Sequence, residues 1–261
     1  MSEIGLGRSR HPASHDISAS LRVAMWSGPR NISTAMMRSF ENRNDCVVSD
    51  EPLYAAYLQQ TGLNHPGAQE VIADGECDWQ KVAHRLVGPI PESKSLWYQK
   101  HMSHHLLPGM NHQWIYQLDN VFLIRDPRAV VASYIKARAD ISPEDIGILQ
   151  QNELFDEITR MNGQAPLVID SNDFLAAPKA YLQALCIKLG ISFQDSMLSW
   201  PKGPRVSDGI WAKYWYHAVW SSTGFESRSE KIPDLSIENQ HIADACMPAY
   251  EKLYAKRLIV A

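Results

Sequence analysis

The chain has 261 residues, of which 45% are hydrophobic and 21% charged, so a folded α/β-sized core is expected and long disorder is excluded. The formal net charge of -4 lacks the basic excess of a nucleic-acid binder, so any anion must be held by basic groups focused at one site. The four cysteines Cys46, Cys77, Cys186 and Cys246 form no CxxC pair, which argues against a zinc ribbon or redox motif and fits free thiols in a reducing cytoplasm.

Residues 1–20 are rich in Ser, Arg and His, carry no apolar signal core, and are expected to form a loose tail. No apolar run approaches the roughly 18 residues of a membrane span, so a soluble cytoplasmic protein without a membrane partner is expected. Leu21 to Trp26 reads as a buried strand closed by a turn at Ser27-Gly28-Pro29. Ser33 to Phe40 then reads as a helix, with Ile32, Met36, Met37 and Phe40 at helical spacing. Cys46 to Ser49 and Leu96 to Lys100 are short strands, and between them residues 60–95 form a candidate insertion capping a pocket. Val121 to Ile124 is the clearest strand, followed by a helix with Pro127 in its first turn. Pro143 to Met161 reads as one polar-faced helix, Pro166 to Ile169 as a strand, and Phe174 to Leu189 as a helix ended by Gly190. Trp211 to Trp220 and Ser236 to Leu258 add helices. Apolar strands alternating with helices predict a three-layer α/β fold, one domain over residues 21–261, with a mostly parallel sheet covered on both faces.

Two segments have the chemistry of anion sites. Gly28-Pro29-Arg30-Asn31-Ile32-Ser33-Thr34 joins a strand to a helix, where backbone N–H groups, Arg30 and the two hydroxyls converge. The spacing is that of a P-loop, but Asn31-Ile32 stands where Gly-Lys would precede the hydroxyl, which argues against a magnesium-dependent nucleotide hydrolase or kinase. The alternative is an ordinary turn in which Ser33 caps the helix. In Leu123-Ile124-Arg125-Asp126-Pro127-Arg128, Arg125 stands at the C-terminal end of a strand, where open α/β sheets bind ligands. Ser133 follows in the next helix, so a guanidinium and a hydroxyl are available to one phosphate. The alternative is that Arg125 pairs with Asp126 for structure alone.

Together these segments resemble the sulfotransferase family. Residues Pro29 to Thr34 look like its 5′-phosphosulfate loop, with Asn31-Ile32 in place of the usual Ser-Gly, and Leu123 to Arg128 with Ser133 is similar to its 3′-phosphate motif. Leu167 to Leu175, Leu189-Gly190, and Arg205-Val206-Ser207-Asp208-Gly209-Ile210-Trp211-Ala212-Lys213 echo later segments of that family. The resemblance implies the P-loop-like α/β fold and binding of 3′-phosphoadenosine 5′-phosphosulfate, with adenosine 3′,5′-bisphosphate as product. It implies contacts from Arg125 and Ser133 to the 3′-phosphate, with Arg205 and Lys213 as further contacts from a closing loop, and a small-molecule acceptor bearing a hydroxyl or amine. Two rivals share the architecture: a P-loop-type kinase or other phosphotransferase, and a nucleotide-binding module without catalysis.

Sulfuryl transfer needs positive charge at the leaving oxygen, for which Arg30 is the candidate by resemblance, and a base for the acceptor's proton. Glu51 follows the second strand and precedes Pro52, which is expected to hold the chain extended and direct the carboxylate. The alternative is a solvated loop acid. Lys100-His101 is the rival site, similar to the family's K-T-H but one residue out of register, so His101 would turn to the opposite face of a continuing strand. His101, His104 and His105 would share one face if helical, but with no HExxH or cysteine pair nearby no metal site is expected. Trp79, Trp97, Tyr98, Trp211, Trp215 and Trp220 are candidates for either an apolar pocket or plain core.

Overall fold

The computed structural model describes residues 20–136, 140–226 and 234–260; all but the last residue of the expected N-terminal tail lies outside them. At its centre is a five-stranded, all-parallel sheet in the order β2-β3-β1-β4-β5, where β1 is Leu21–Ser27, β2 Cys46–Asp50, β3 Leu96–Met102, β4 Asp119–Ile124 and β5 Leu167–Asp170. The predicted parallel α/β class is borne out. Strand β1 is central and its successors lie to both sides, so a switch of direction falls between β1 and β4. Open α/β sheets bind ligands at such a point, outside the carboxyl ends of the strands.

The apolar strands face two cores. Ala24, Trp26, Trp97, Phe122 and Ile124 point to one side, and Val23, Met25, Leu96, Tyr98, Val121 and Leu123 to the other. This is why the strand sequences run apolar without alternation. Phe122, Leu123 and Ile124 are fully buried, and each such burial stabilises by about 1.5–3 kcal/mol.

The helices are, in chain order, α1 (Ser33–Glu41), α2 (Tyr54–Thr61), α3 (Ala68–Asp74), α4 (Trp79–Leu86), α5 (Pro127–Tyr134), α6 (Ile148–Asn162), α7 (Ser171–Ala176), α8 (Pro178–Leu189), α9 (Ala212–Trp215), α10 (His217–Ser221) and α11 (Ile237–Tyr254). Helices α1 and α8 cover one face of the sheet; α4, α5, α6 and α11 cover the other. A third apolar cluster joins Tyr54, Tyr57 and Leu58 of α2 and Val71 of α3 to Trp211, Ala212 and Tyr216.

Two expected helices are broken. The one read from Pro143 to Met161 is interrupted at Gly147, whose φ of 76° ends a short 3-10 turn before α6 begins. The one read from Phe174 to Leu189 is divided at Pro178, which opens α8 while Ala177 leaves helical geometry at φ -146°. The segment 60–95, read as a candidate capping insertion, contains α3 and α4. Helix α4 buries Val82, Ala83 and Leu86 in the core, held by Gln99 Nε2 donating to the Leu86 carbonyl at 2.8 Å.

Candidate active site

The loop after β1 is shaped by close packing. A Cβ on Gly28 would lie 2.4 Å from the Ile146 carbonyl oxygen, so the turn before α6 rests directly on this glycine. Gly28 therefore serves the packing behind the loop and does not line the cavity in front of it. Gly28→Ala should cost about 1–3 kcal/mol through overpacking, read from urea unfolding; a stability equal to wild type would show that the turn yields freely. Arg30 adopts φ 55°, sparsely populated for a side chain other than glycine, as strained residues at ligand sites often are. Asn31 braces the turn: its Nδ2 donates to the Leu123 carbonyl at 3.0 Å and its Oδ1 accepts the Ile32 N–H at 2.8 Å. Ile32 stands at the cap of α1, so Ser33 and Thr34 occupy its first turn, and the hydroxyl of Ser33 does not cap it.

The loop after β4 meets this turn. Asp126 caps α5 by accepting the Arg128 N–H at 2.9 Å and also pairs with the Arg128 guanidinium. Arg125 instead donates to the carbonyl of Arg30, and Arg30 Nε donates to Ser133 Oγ at 3.1 Å. Two segments about a hundred residues apart thus join across the β1/β4 switch point. With Pro29, Asn31, Ile32, Ser33 and Thr34 they line a cavity of about 310 Å³. Burial and the neighbouring Arg125 guanidinium both lower the Arg30 pKa from its ordinary value. Two like charges brought together in a half-buried cleft favour an anion between them.

At the other wall, Asp50 and Lys100 are register partners at the ends of β2 and β3. Lys100 is 1% exposed, and its three ammonium protons have three acceptors: Asp50 Oδ1 at 2.8 Å, Glu51 Oε1 at 2.6 Å and the Tyr216 hydroxyl at 2.5 Å. Glu51 continues the ladder through its N–H to the Lys100 carbonyl at 3.0 Å. Its φ is 40°, so the chain is not extended before Pro52 as expected; it turns sharply into α2 and the carboxylate swings back onto Lys100. Burial moves the Glu51 pKa above the usual carboxylate range against the pull of Lys100. Lys100 keeps its proton, because Asp50 and Glu51 outweigh its desolvation. One ammonium between two acids leaves one net negative charge, so a raised acid and a charged lysine coexist.

Glu51, Arg30, Lys100, Arg125 and Ser133 line one cavity; His101 does not. The His101 ring is 1% exposed on the opposite face of the sheet, stacked on Trp26 at 4.3 Å, and burial pushes its pKa down to about 3. Because β3 runs to Met102 and residues Ser103–His105 form a single 3-10 turn, the helical spacing that would ally His101 with His104 and His105 is absent. His104 and His105 line the cavity beside Tyr54 and His65.

Arg205 and Lys213 lie outside the cavity lining, where the resemblance had set them as phosphate contacts. Arg205 donates to Glu41 at 2.7 Å and Asn42 at 2.8 Å, and Lys213 pairs with Glu70, so nearer acceptors hold both. Of the aromatic candidates, Trp211 and Trp215 line the cavity, whereas Trp97 and Tyr98 are core. Sequence reasoning missed Tyr216 as part of the site; its one signal was its place in the aromatic stretch from Trp211 to Trp220.

A family model described as "Sulfotransferase domain" matches residues 21–257. "Branched-chain-amino-acid aminotransferase-like protein 2" and its counterpart 1, both from Arabidopsis thaliana, are each 35% identical over 231 residues, covering 88% of this chain and 41% of the relative. The chain thus spans about two fifths of the length of these relatives. Among solved structures, a sulfotransferase from Alicyclobacillus acidocaldarius superposes with TM-score 0.55 at 11% identity, covering 92% of this chain and 98% of the other. The "Sulfotransferase Domain from the Curacin Biosynthetic Pathway" does so with TM-score 0.52 at 15% identity, covering 87% and 97%. Both are likenesses of fold.

Proposed function

The chain belongs to the sulfotransferase-domain family, and on that premise we propose that it transfers a sulfuryl group from 3′-phosphoadenosine 5′-phosphosulfate to a hydroxyl or amine of a small acceptor. The observation that carries this reading is the junction of Arg30, Arg125 and Ser133 at one cavity. The donor set fits a doubly phosphorylated nucleotide: two guanidinium groups, the hydroxyls of Ser33, Thr34 and Ser133, and the N-terminal turn of α1 are all compatible with phosphate oxygens. The bound phosphosulfate would supply the sulfuryl group and a stable leaving nucleotide.

In this reading Arg125 and Ser133 hold the 3′-phosphate, while Arg30 and the turn from Pro29 to Thr34 face the phosphosulfate. Arg30 would offset charge growing on the leaving oxygen. Glu51 takes the acceptor's proton. Lys100 has no ammonium proton left for a ligand, so its part is to hold Glu51. Trp211 and Trp215 offer the acceptor an apolar wall and exclude water. The aminotransferase in the names of the plant relatives is not carried over, since the match takes in 41% of their length.

Calorimetry with adenosine 3′,5′-bisphosphate and AMP tests the reading. The bisphosphate should bind far more tightly, and Arg125→Ala should remove about 1.5–3 kcal/mol of that preference, roughly 10- to 150-fold. Equal affinity of the wild-type protein for the two nucleotides would overturn it.

A further inference from the structure

The ends of β2 and β3 carry a four-group cluster, of which the proposed reaction uses one member directly. Tyr216, 5% exposed, reaches it from the segment that follows α9. Its hydroxyl proton goes to Asp50, with the oxygens at 2.7 and 2.8 Å. Its oxygen accepts from Lys100 at 2.5 Å and from the Trp211 indole N–H at 3.3 Å. Asp50 accepts in addition the Gly209 N–H at 3.1 Å. The carboxylate of Asp50 thus ties together the end of β2, the lysine of β3 and the segment carrying the cavity's tryptophans. Glu51 is the least buried acid of the cluster: its side chain is 11% exposed, against 2% for Asp50, and it alone of the two lines the cavity.

We propose that Asp50 and Tyr216 are positioning residues, which hold the Lys100 ammonium midway between two carboxylates and so keep Glu51 aimed at the cavity. The inference deepens the sulfotransferase reading and rests on it for the role of Glu51. With Lys100 shared three ways, Glu51 receives only part of its charge. If Lys100 were given wholly to Glu51, the result would be a tight ion pair and a poor base. If it were withdrawn to Asp50, Glu51 would become a buried acid that stays protonated. The hydroxyl of Tyr216 satisfies the third ammonium proton and neutralises part of Asp50, which prevents either extreme. The groups facing Glu51 are Asp50 from β2, Lys100 from β3, Tyr54 from α2 and Tyr216. The buried His105 ring, stacked on Tyr54 at 4.9 Å, lies behind them and is held neutral by its desolvation.

The two positioning residues pull the proton affinity of Glu51 in opposite directions, which separates them from residues that merely support the fold. The negative charge of Asp50 raises it, and Tyr216, whose proton goes to Asp50 and offsets part of that charge, lowers it. Asp50→Asn should therefore move the titration of the Glu51 carboxyl to lower pH, and Tyr216→Phe should move it to higher pH. The measurement is the carbon-13 shift of labelled glutamate carboxyls across a pH series, on the full chain without nucleotide, with Glu51→Gln to assign the signal. Where turnover is measurable, the acidic limb of the kcat profile should move the same way in each variant. Unmoved titrations, or shifts of the same sign, would overturn the proposal. Should Asp50→Asn fail to fold, the direction found for Tyr216→Phe decides alone. Absence of adenosine 3′,5′-bisphosphate binding would sink the sulfotransferase reading separately, leaving the titration result to stand or fall by itself.

Discussion

Glu51→Gln is expected to lower kcat by about 10²–10⁴-fold, the range typical of losing a general base, while adenosine 3′,5′-bisphosphate still binds. The amide keeps the size of the side chain, and its oxygen can still accept from Lys100, now 2.6 Å away. What it loses is the capacity to take a proton. Burial already holds the Glu51 pKa above the ordinary carboxylate range. The measurement is turnover with saturating phosphosulfate nucleotide and an acceptor found by screening phenols, alcohols and amines. A wild-type rate in Glu51→Gln would remove the role from Glu51. It would not pass to His101, whose ring is sealed against Trp26 and is neutral at pH 7. His101→Ala should instead reduce stability, since it opens a hole beneath the sheet.

Lys100→Met should destabilise the fold by about 3–5 kcal/mol at neutral pH, because it leaves two buried carboxylates without their cation. Asp50 is 2% exposed and Glu51 11%, so water cannot take over the solvation that the ammonium provided. The remaining acids would then hold their protons more firmly in the folded state than in the unfolded chain. Acids whose folded pKa is raised add stability at low pH and lose it as pH rises through that pKa. The deficit in urea unfolding should therefore be smaller at pH 5 than at pH 8. A deficit under about 1 kcal/mol at neutral pH would show that the cluster is not held by charge.

The strands were legible from the sequence because each carries a short apolar run, the pattern that burial on both faces favours. Val121 to Ile124 was read correctly, as were the turns that open α1 and α5, since Gly28-Pro29 and Asp126-Pro127 are strong local signals. Errors arose where a tertiary contact overrode a local pattern. The helix read through residue 147 is broken because Gly147 takes φ 76° where its turn packs against Gly28. Glu51 was expected in an extended chain before Pro52, but hydrogen bonds to Lys100 from both its backbone and its side chain hold it at φ 40°.

By itself the sequence determined the parallel α/β architecture, the two basic loops and their order along the chain, because these depend on residues near one another. Only the tertiary structure decided which side chains share the cavity. Arg30 meets Ser133, Lys100 meets Tyr216, and Arg205 and Lys213 find Glu41 and Glu70 instead of the cavity. Each of these pairings joins residues more than a hundred positions apart. They follow from strand order and from competition among charged partners in three dimensions, which no local pattern encodes.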